Sequence, residues 1–82
     1  MKPLVSVIIP VKKVNDFIRR SVNEILNGTY KRYEIIILVD YASKEYFSKT
    51  TITETGHAGP AEKRDEGARM AKGEILAFLD DD

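Results

Sequence analysis

The sequence predicts an α/β fold: a doubly wound, mainly parallel sheet of about four strands with flanking helices. Three observations carry this. Residues 4–9 and 34–39 are short, nearly all-apolar runs rich in β-branched residues, the pattern of strands buried on both faces. The stretch between them has helical periodicity instead. Each apolar run ends abruptly on a breaker or an acid: Pro10, Asp40, and Asp80 after the last run.

The first strand is expected over Leu4–Ile9, closed by Pro10 because proline cannot donate to a sheet ladder. Asn15 suits a helix N-cap, and Asp16 sits favourably in the first turn. Phe17, Ile18, Val22, Ile25 and Leu26 then recur on one side, with Arg19, Arg20, Asn23 and Glu24 on the other. Gly28 ends that helix. Tyr30 and Tyr33 are expected to pack where it meets the second strand, Glu34–Val39, which Asp40 closes. Strand, helix and strand in this length form a βαβ unit with a right-handed crossover. Within Tyr41–Lys49, Ser43 could cap a short helix containing Tyr46 and Phe47. Thr50–Thr55 reads as a third strand at an edge, and residues 56–59 as a loop. Pro60 favours a first helical turn. Ala61, Arg64, Ala68 and Ala71 share one face of the helix that follows, where small residues let a helix lie close to a sheet. Gly73 closes it, and Glu74–Leu79 is a last buried strand. The expected order is β-α-β-α-β-α-β.

An 82-residue chain fits one small domain, residues 1–82. Its 43% hydrophobic and 32% charged content is that of a globular protein. Thirteen basic and 13 acidic residues leave no excess for a nucleic-acid footprint, so no nucleic-acid partner is expected. The absence of cysteine excludes disulfide scaffolds, zinc knuckles and thiol nucleophiles. No signal-peptide pattern opens the chain, and the first apolar run is far too short to span a bilayer, so a cytoplasmic location is expected. There is no G-x-G-x-x-G, no G-x-x-x-x-G-K-[ST] and no G-x-S-x-G, which weighs against dinucleotide oxidoreductases, P-loop NTPases and serine hydrolases.

In open α/β sheets, ligands bind outside the carboxyl ends of the strands. Pro10–Lys13, Asp40 and the triplet Asp80, Asp81 and Asp82 all fall at that edge. Carboxylates suit Mg²⁺ or Mn²⁺, which often bridge one or two of them to substrate phosphates. Taken alone, such a triplet is a solubilising tail or a loop cap; directly after a buried strand it points to a metal. Asp40 fits two readings equally, an acceptor for a ribose or base and an Asx-type cap. By its surroundings alone, Arg64 is a snorkelling side chain or a partner of Asp65 or Glu66. His57, Lys12 and Lys13 read as solvated loop residues. No residue is assigned a catalytic role.

The ordered set of segments resembles family 2 glycosyltransferases, which have the GT-A fold, a Rossmann-like architecture. Val5-Ser6-Val7-Ile8-Ile9-Pro10-Val11 resembles their opening strand, and Asn27–Tyr33 their approach to the second. Glu34–Asp40 with Ser43, then Gly59–Gly67 and Ala71–Ile75, follow in family order. Phe78-Leu79-Asp80-Asp81-Asp82 is similar to the DxD signature. Three positions depart from the pattern. Lys12 and Lys13 stand where Tyr-Asn is common, Tyr41 and Ala42 replace Asp-Gly, and Lys63-Arg64-Asp65 replaces Ala-Arg-Asn.

The resemblance implies a nucleoside diphosphate sugar as ligand, commonly a UDP- or GDP-sugar. Pro10 and Val11 would sit by the nucleoside, Asp40 by the base, and Arg64 in the nucleotide pocket. Asp80 or Asp81 would hold the ribose, and Asp82 would ligate Mg²⁺ or Mn²⁺. It further implies an acceptor-binding half carrying a general base, so this chain, read as cut short at the triplet, is expected to bind nucleotide without transferring sugar. The acceptor is left open. The alternative is a non-catalytic nucleotide-binding or regulatory module of the same fold. Full-length relatives would be peripheral to a membrane. The last strand is expected to leave an open edge that promotes self-association.

Overall fold

The computed structural model describes residues 2–80. The elements are β1 (Val5–Pro10), α1 (Asp16–Leu26), β2 (Tyr33–Val39), β3 (Thr50–Glu54), α2 (Pro60–Met70) and β4 (Ile75–Phe78). The four strands form one sheet in the order β3-β2-β1-β4, and every neighbouring pair is parallel. Strand order therefore reverses at β1, as in a doubly wound fold.

The alternation of side chains along β1 and β2 explains why both runs are apolar throughout. Ile9, Ile35, Ile37 and Val39 share a core with Ile18 and Val22 of α1. Ile8 and Leu38 point the other way and meet α2 at Gly67. The two helices thus cover opposite faces of the sheet, and Ile8, Ile9, Ile35, Ile37, Leu38 and Val39 are each 0% exposed.

Local chemistry sets the helix ends. Asn15 Oδ1 accepts the Ile18 N–H at 2.9 Å and caps α1. At the start of α2, Pro60 takes the first turn and Glu62 accepts the Gly59 N–H at 3.3 Å. The face of α2 that meets the sheet is not the alanine face expected from the sequence. Its buried residues are Lys63 and Gly67, one turn apart, whereas Ala61 is exposed and Arg64, Ala68 and Ala71 are only half-buried. A Cβ on Gly67 would lie 2.5 Å from the Ile8 Cγ2 methyl, so the glycine sets how closely α2 approaches β1.

Two further expectations are corrected. Residues 41–49 hold no helix. Ser43 Oγ accepts the Glu45 N–H at 3.1 Å, which closes a turn rather than opening a helix. The Arg19 guanidinium then ties this loop to α1 with a forked pair of bonds to Glu45, 3.2 and 3.0 Å long. Glu45 is held ionised below the usual carboxylate range, chiefly by that arginine. The last strand is shorter than expected and is not buried: Ile75, Leu76 and Phe78 are 47%, 40% and 49% exposed on the edge strand. Pro10 is the last residue of β1 rather than its terminator.

At the amino ends of the strands, the fully buried Ser6 links three segments. Its Oγ donates to Glu34 Oε2 at 2.6 Å and accepts the Gly73 N–H at 2.8 Å, while Glu34 Oε2 also accepts the Lys72 N–H at 2.6 Å. This pins the α2–β4 connection onto β1 and β2. Tyr30 Oη donates to the Pro3 carbonyl, and Lys49 Nζ lies 4.5 Å above the buried Tyr33 ring, so both tyrosines pack beside the β2 entry as expected.

Candidate functional site

Asp40 directly follows β2 and joins three elements at the carboxyl edge. Its N–H donates to the Lys12 carbonyl at 3.0 Å, which holds the loop after β1. Its carbonyl accepts the Gly56 N–H at 2.9 Å, which holds the loop after β3. Gly56 has φ +79°, a left-handed conformation that suits glycine. The Asp40 carboxylate reaches α2, where Lys63 Nζ donates to Oδ1. Lys63 also donates to the Ala58 carbonyl at 2.8 Å and is only 3% exposed.

A lysine is almost never so buried unless its charge is paired, and Asp40, 7% exposed, supplies the partner. The bond from Lys63 is the main reason the Asp40 carboxyl titrates below its usual range; burial opposes this and His57 adds to it. His57 Nδ1 lies 3.4 Å from Asp40 Oδ2, although the imidazole is 83% exposed. His57 is thus the solvated loop histidine expected, with one face turned to the Asp40–Lys63 pair.

Beside this pair lies a cleft of about 550 Å³. Its lining includes Pro10, Val11, Lys12, Lys13, His57 and Lys63. The cleft lies between the loop after β1 and the start of α2, outside the carboxyl ends of the two central strands. The loop has a clear logic: Val11 and Val14 are buried and anchor it, and Lys12 and Lys13 between them are exposed.

Of the residues singled out in the sequence, Pro10 and Val11 line the cleft, and Asp40 lies beside it through Lys63 and His57. Arg64 and Asp80 come together, Nη2 to Oδ1 at 2.7 Å, so Arg64 pairs with the first aspartate of the triplet rather than with Asp65 or Glu66. Asp81 and Asp82 lie outside the described residues. Among the described residues, no group of three or more His, Cys, Asp or Glu side chains is placed to hold a metal ion, and Asp80 already has a cationic partner. Sequence reasoning missed Lys63. Its signal was the lysine four residues before Gly67, a spacing that puts both on one helix face.

No described helix is long and apolar enough to cross a membrane. Residues 6–82 match the family model for glycosyl transferase family 2. Curated relatives include an uncharacterized glycosyltransferase of Rickettsia bellii, 31% identical over 93 residues, covering 95% of this chain and 13% of the relative. The uncharacterized glycosyltransferase EpsJ of Bacillus subtilis is 28% identical over 94 residues, covering 100% of this chain and 27% of the relative. TuaG of the same organism, a putative teichuronic acid biosynthesis glycosyltransferase, is 32% identical over 94 residues, covering 99% and 36%. The chain therefore spans between 13% and 36% of the length of these relatives.

Proposed function

The chain belongs to glycosyl transferase family 2, and from that premise we propose that its carboxyl-edge cleft receives the nucleoside diphosphate part of a sugar donor, a UDP- or GDP-sugar. One observation carries the reading: the loops after β1 and β3 and the first turns of α2 are fastened together at Asp40, on the sheet edge where ligands of open α/β folds bind. Pro10 and Val11 form the nucleoside wall, with Asp40 near the base. Arg64, already paired with Asp80, belongs to the nucleotide pocket, and Asp80 or Asp81 holds the ribose.

Asp82 is the proposed carboxylate ligand for Mg²⁺ or Mn²⁺, on sequence grounds alone. When bound, such a cation supplies positive charge to a departing diphosphate. The proposal for these 82 residues is restricted to donor binding. Transfer also needs an acceptor site and a base for the acceptor hydroxyl, and none is assigned to this chain.

A calorimetric titration of the chain with UDP, GDP and CDP in the presence of Mn²⁺ tests the reading. Binding of at least one nucleotide is expected, with no turnover of a UDP-sugar when an acceptor alcohol is added. Failure of all three to bind would favour the second reading, a non-catalytic module of the same fold. One observation speaks for that module: two of the described acids at this edge, Asp40 and Asp80, are already committed to cations of the chain itself.

A further inference from the structure

The charge around the cleft is one-sided. Lys63 and Asp40 cancel one another, since each is the other's buried partner. What lines the cleft beyond that pair is cationic or neutral: Lys12 and Lys13 are cationic, and no residue of the lining is an acid. Among the described residues, the ion pairs are made by other side chains than Lys12 and Lys13.

Their backbone is fixed rather than loose. Val11 N–H donates to the Leu38 carbonyl at 3.0 Å, and the Lys12 carbonyl accepts the Asp40 N–H at 3.0 Å. With Val11 and Val14 buried on either side, the two lysines project from a turn held at both ends. Both helices begin beside the same cleft: the α1 cap Asn15 and the α2 cap Gly59 are in its lining. Each helix carries an acid in its first turn, Asp16 in α1 and Glu62 in α2, so the positive charge at this lip is that of the two lysines. A cleft with a neutralised floor and a fixed cationic lip is suited to an anion.

We propose that Lys12 and Lys13 form an anion subsite that takes the phosphate groups of the donor nucleotide. This rests on the donor-binding reading and deepens it. Phosphate oxygens would accept charge-assisted hydrogen bonds from the two ammonium groups. Part of the affinity for the diphosphate then comes from the chain itself, does not depend on a divalent cation, and weakens as salt rises.

The test titrates the full 82-residue chain with three probes, UDP, uridine and inorganic pyrophosphate, each with EDTA and with Mn²⁺. Two charge-assisted contacts should make UDP bind at least about tenfold more tightly than uridine in EDTA. Pyrophosphate should bind the same site and compete with UDP. The double substitution Lys12→Ala/Lys13→Ala should remove the gap between UDP and uridine while leaving uridine binding unchanged. Lys12→Arg/Lys13→Arg should keep the gap. Both lysines are exposed, so these variants should fold, and circular dichroism checks that they do.

Equal binding of UDP and uridine in EDTA, or a gap that survives the alanine pair, overturns the proposal. If uridine and UDP both fail to bind with and without Mn²⁺, and GDP and CDP fail as well, the donor-binding reading falls instead. Pyrophosphate then decides the subsite alone: binding lost in the alanine pair supports an anion site, and no binding overturns it.

Discussion

The closeness of α2 to the sheet rests on one missing methyl group, and that gives the sharpest stability prediction. In Gly67→Ala the new Cβ would sit 2.5 Å from Ile8 Cγ2 and 3.3 Å from Leu38 Cδ2. Ordinary carbon–carbon contact is about 3.5–4.0 Å, so roughly 1 Å must be opened at Ile8. Ile8 cannot yield easily, because it is 0% exposed on a strand paired on both sides. Overpacking of this kind costs about 1–3 kcal/mol. Alanine in a helix interior returns up to about 1 kcal/mol over glycine. The expected net effect is destabilisation by about 1 kcal/mol, seen as a fall in Tm of about 4–8 °C for a domain of this size. Gly67→Val forfeits most of the helix gain and adds two more methyls, so a loss of about 3 kcal/mol is expected. Urea unfolding followed by far-ultraviolet circular dichroism reads both. Stabilisation of Gly67→Ala by the full helix-propensity increment, with Gly67→Val neutral, would refute the seating of α2 on Ile8. It would also undercut the site, because the same approach brings Lys63 to Asp40.

Other expectations follow from the same packing and charges. The Asp40 carboxyl is depressed by Lys63, so its contribution to stability is fully present above the ordinary carboxylate pKa of about 4 and is lost as pH falls through the lower folded value. Acid titration of folding should therefore show a loss below about pH 4 that disappears in Asp40→Asn, while Asp65→Asn, at an exposed position, should keep it. Asp40→Asn should also lower stability near neutral pH more than Asp65→Asn does, since it leaves the Lys63 ammonium buried without a counter-charge. Ser6→Ala removes the acceptor of the Gly73 N–H and should cost about 1–3 kcal/mol in chemical denaturation. The β4 edge, with Leu76 and Phe78 exposed, is proposed to pair with a second copy. Sedimentation at rising concentration should show a dimer that Leu76→Lys abolishes, and a strictly monomeric wild type would refute it.

The strands and helices were legible in the sequence because their signals are local. The apolar runs of β1 and β2, the Asn15 cap and Pro60 each act within a few residues, and the structure keeps all of them. What the sequence hid was set by contacts between distant segments. The alanines of α2 looked like its sheet-facing side, yet seating on Ile8 selected Gly67 and drew Lys63 inward. Helical signals in residues 41–49 gave way to the Ser43 turn and the Arg19–Glu45 fork. At the site, Pro10, Val11 and Asp40 could be placed on the carboxyl edge from strand ends alone. The bond from Lys63 to Asp40 joins residues 23 apart in the chain, and the Arg64–Asp80 pair joins residues 16 apart, so neither followed from spacing. Lys12 and Lys13 looked like two solvated lysines, and they are exposed; their interest comes from the buried valines that flank them.

The central claim, that the carboxyl edge of this sheet holds a donor nucleotide, is tested most directly by amide-resolved nuclear magnetic resonance during titration with UDP and with GDP. The account predicts shift changes confined to Val11–Lys13, Asp40, His57–Gly59, Arg64 and the triplet Asp80, Asp81 and Asp82, with the amides of Gly73 and Lys72 at the opposite edge unmoved. Changes centred on any other surface, or none with either nucleotide at millimolar concentration, would contradict it.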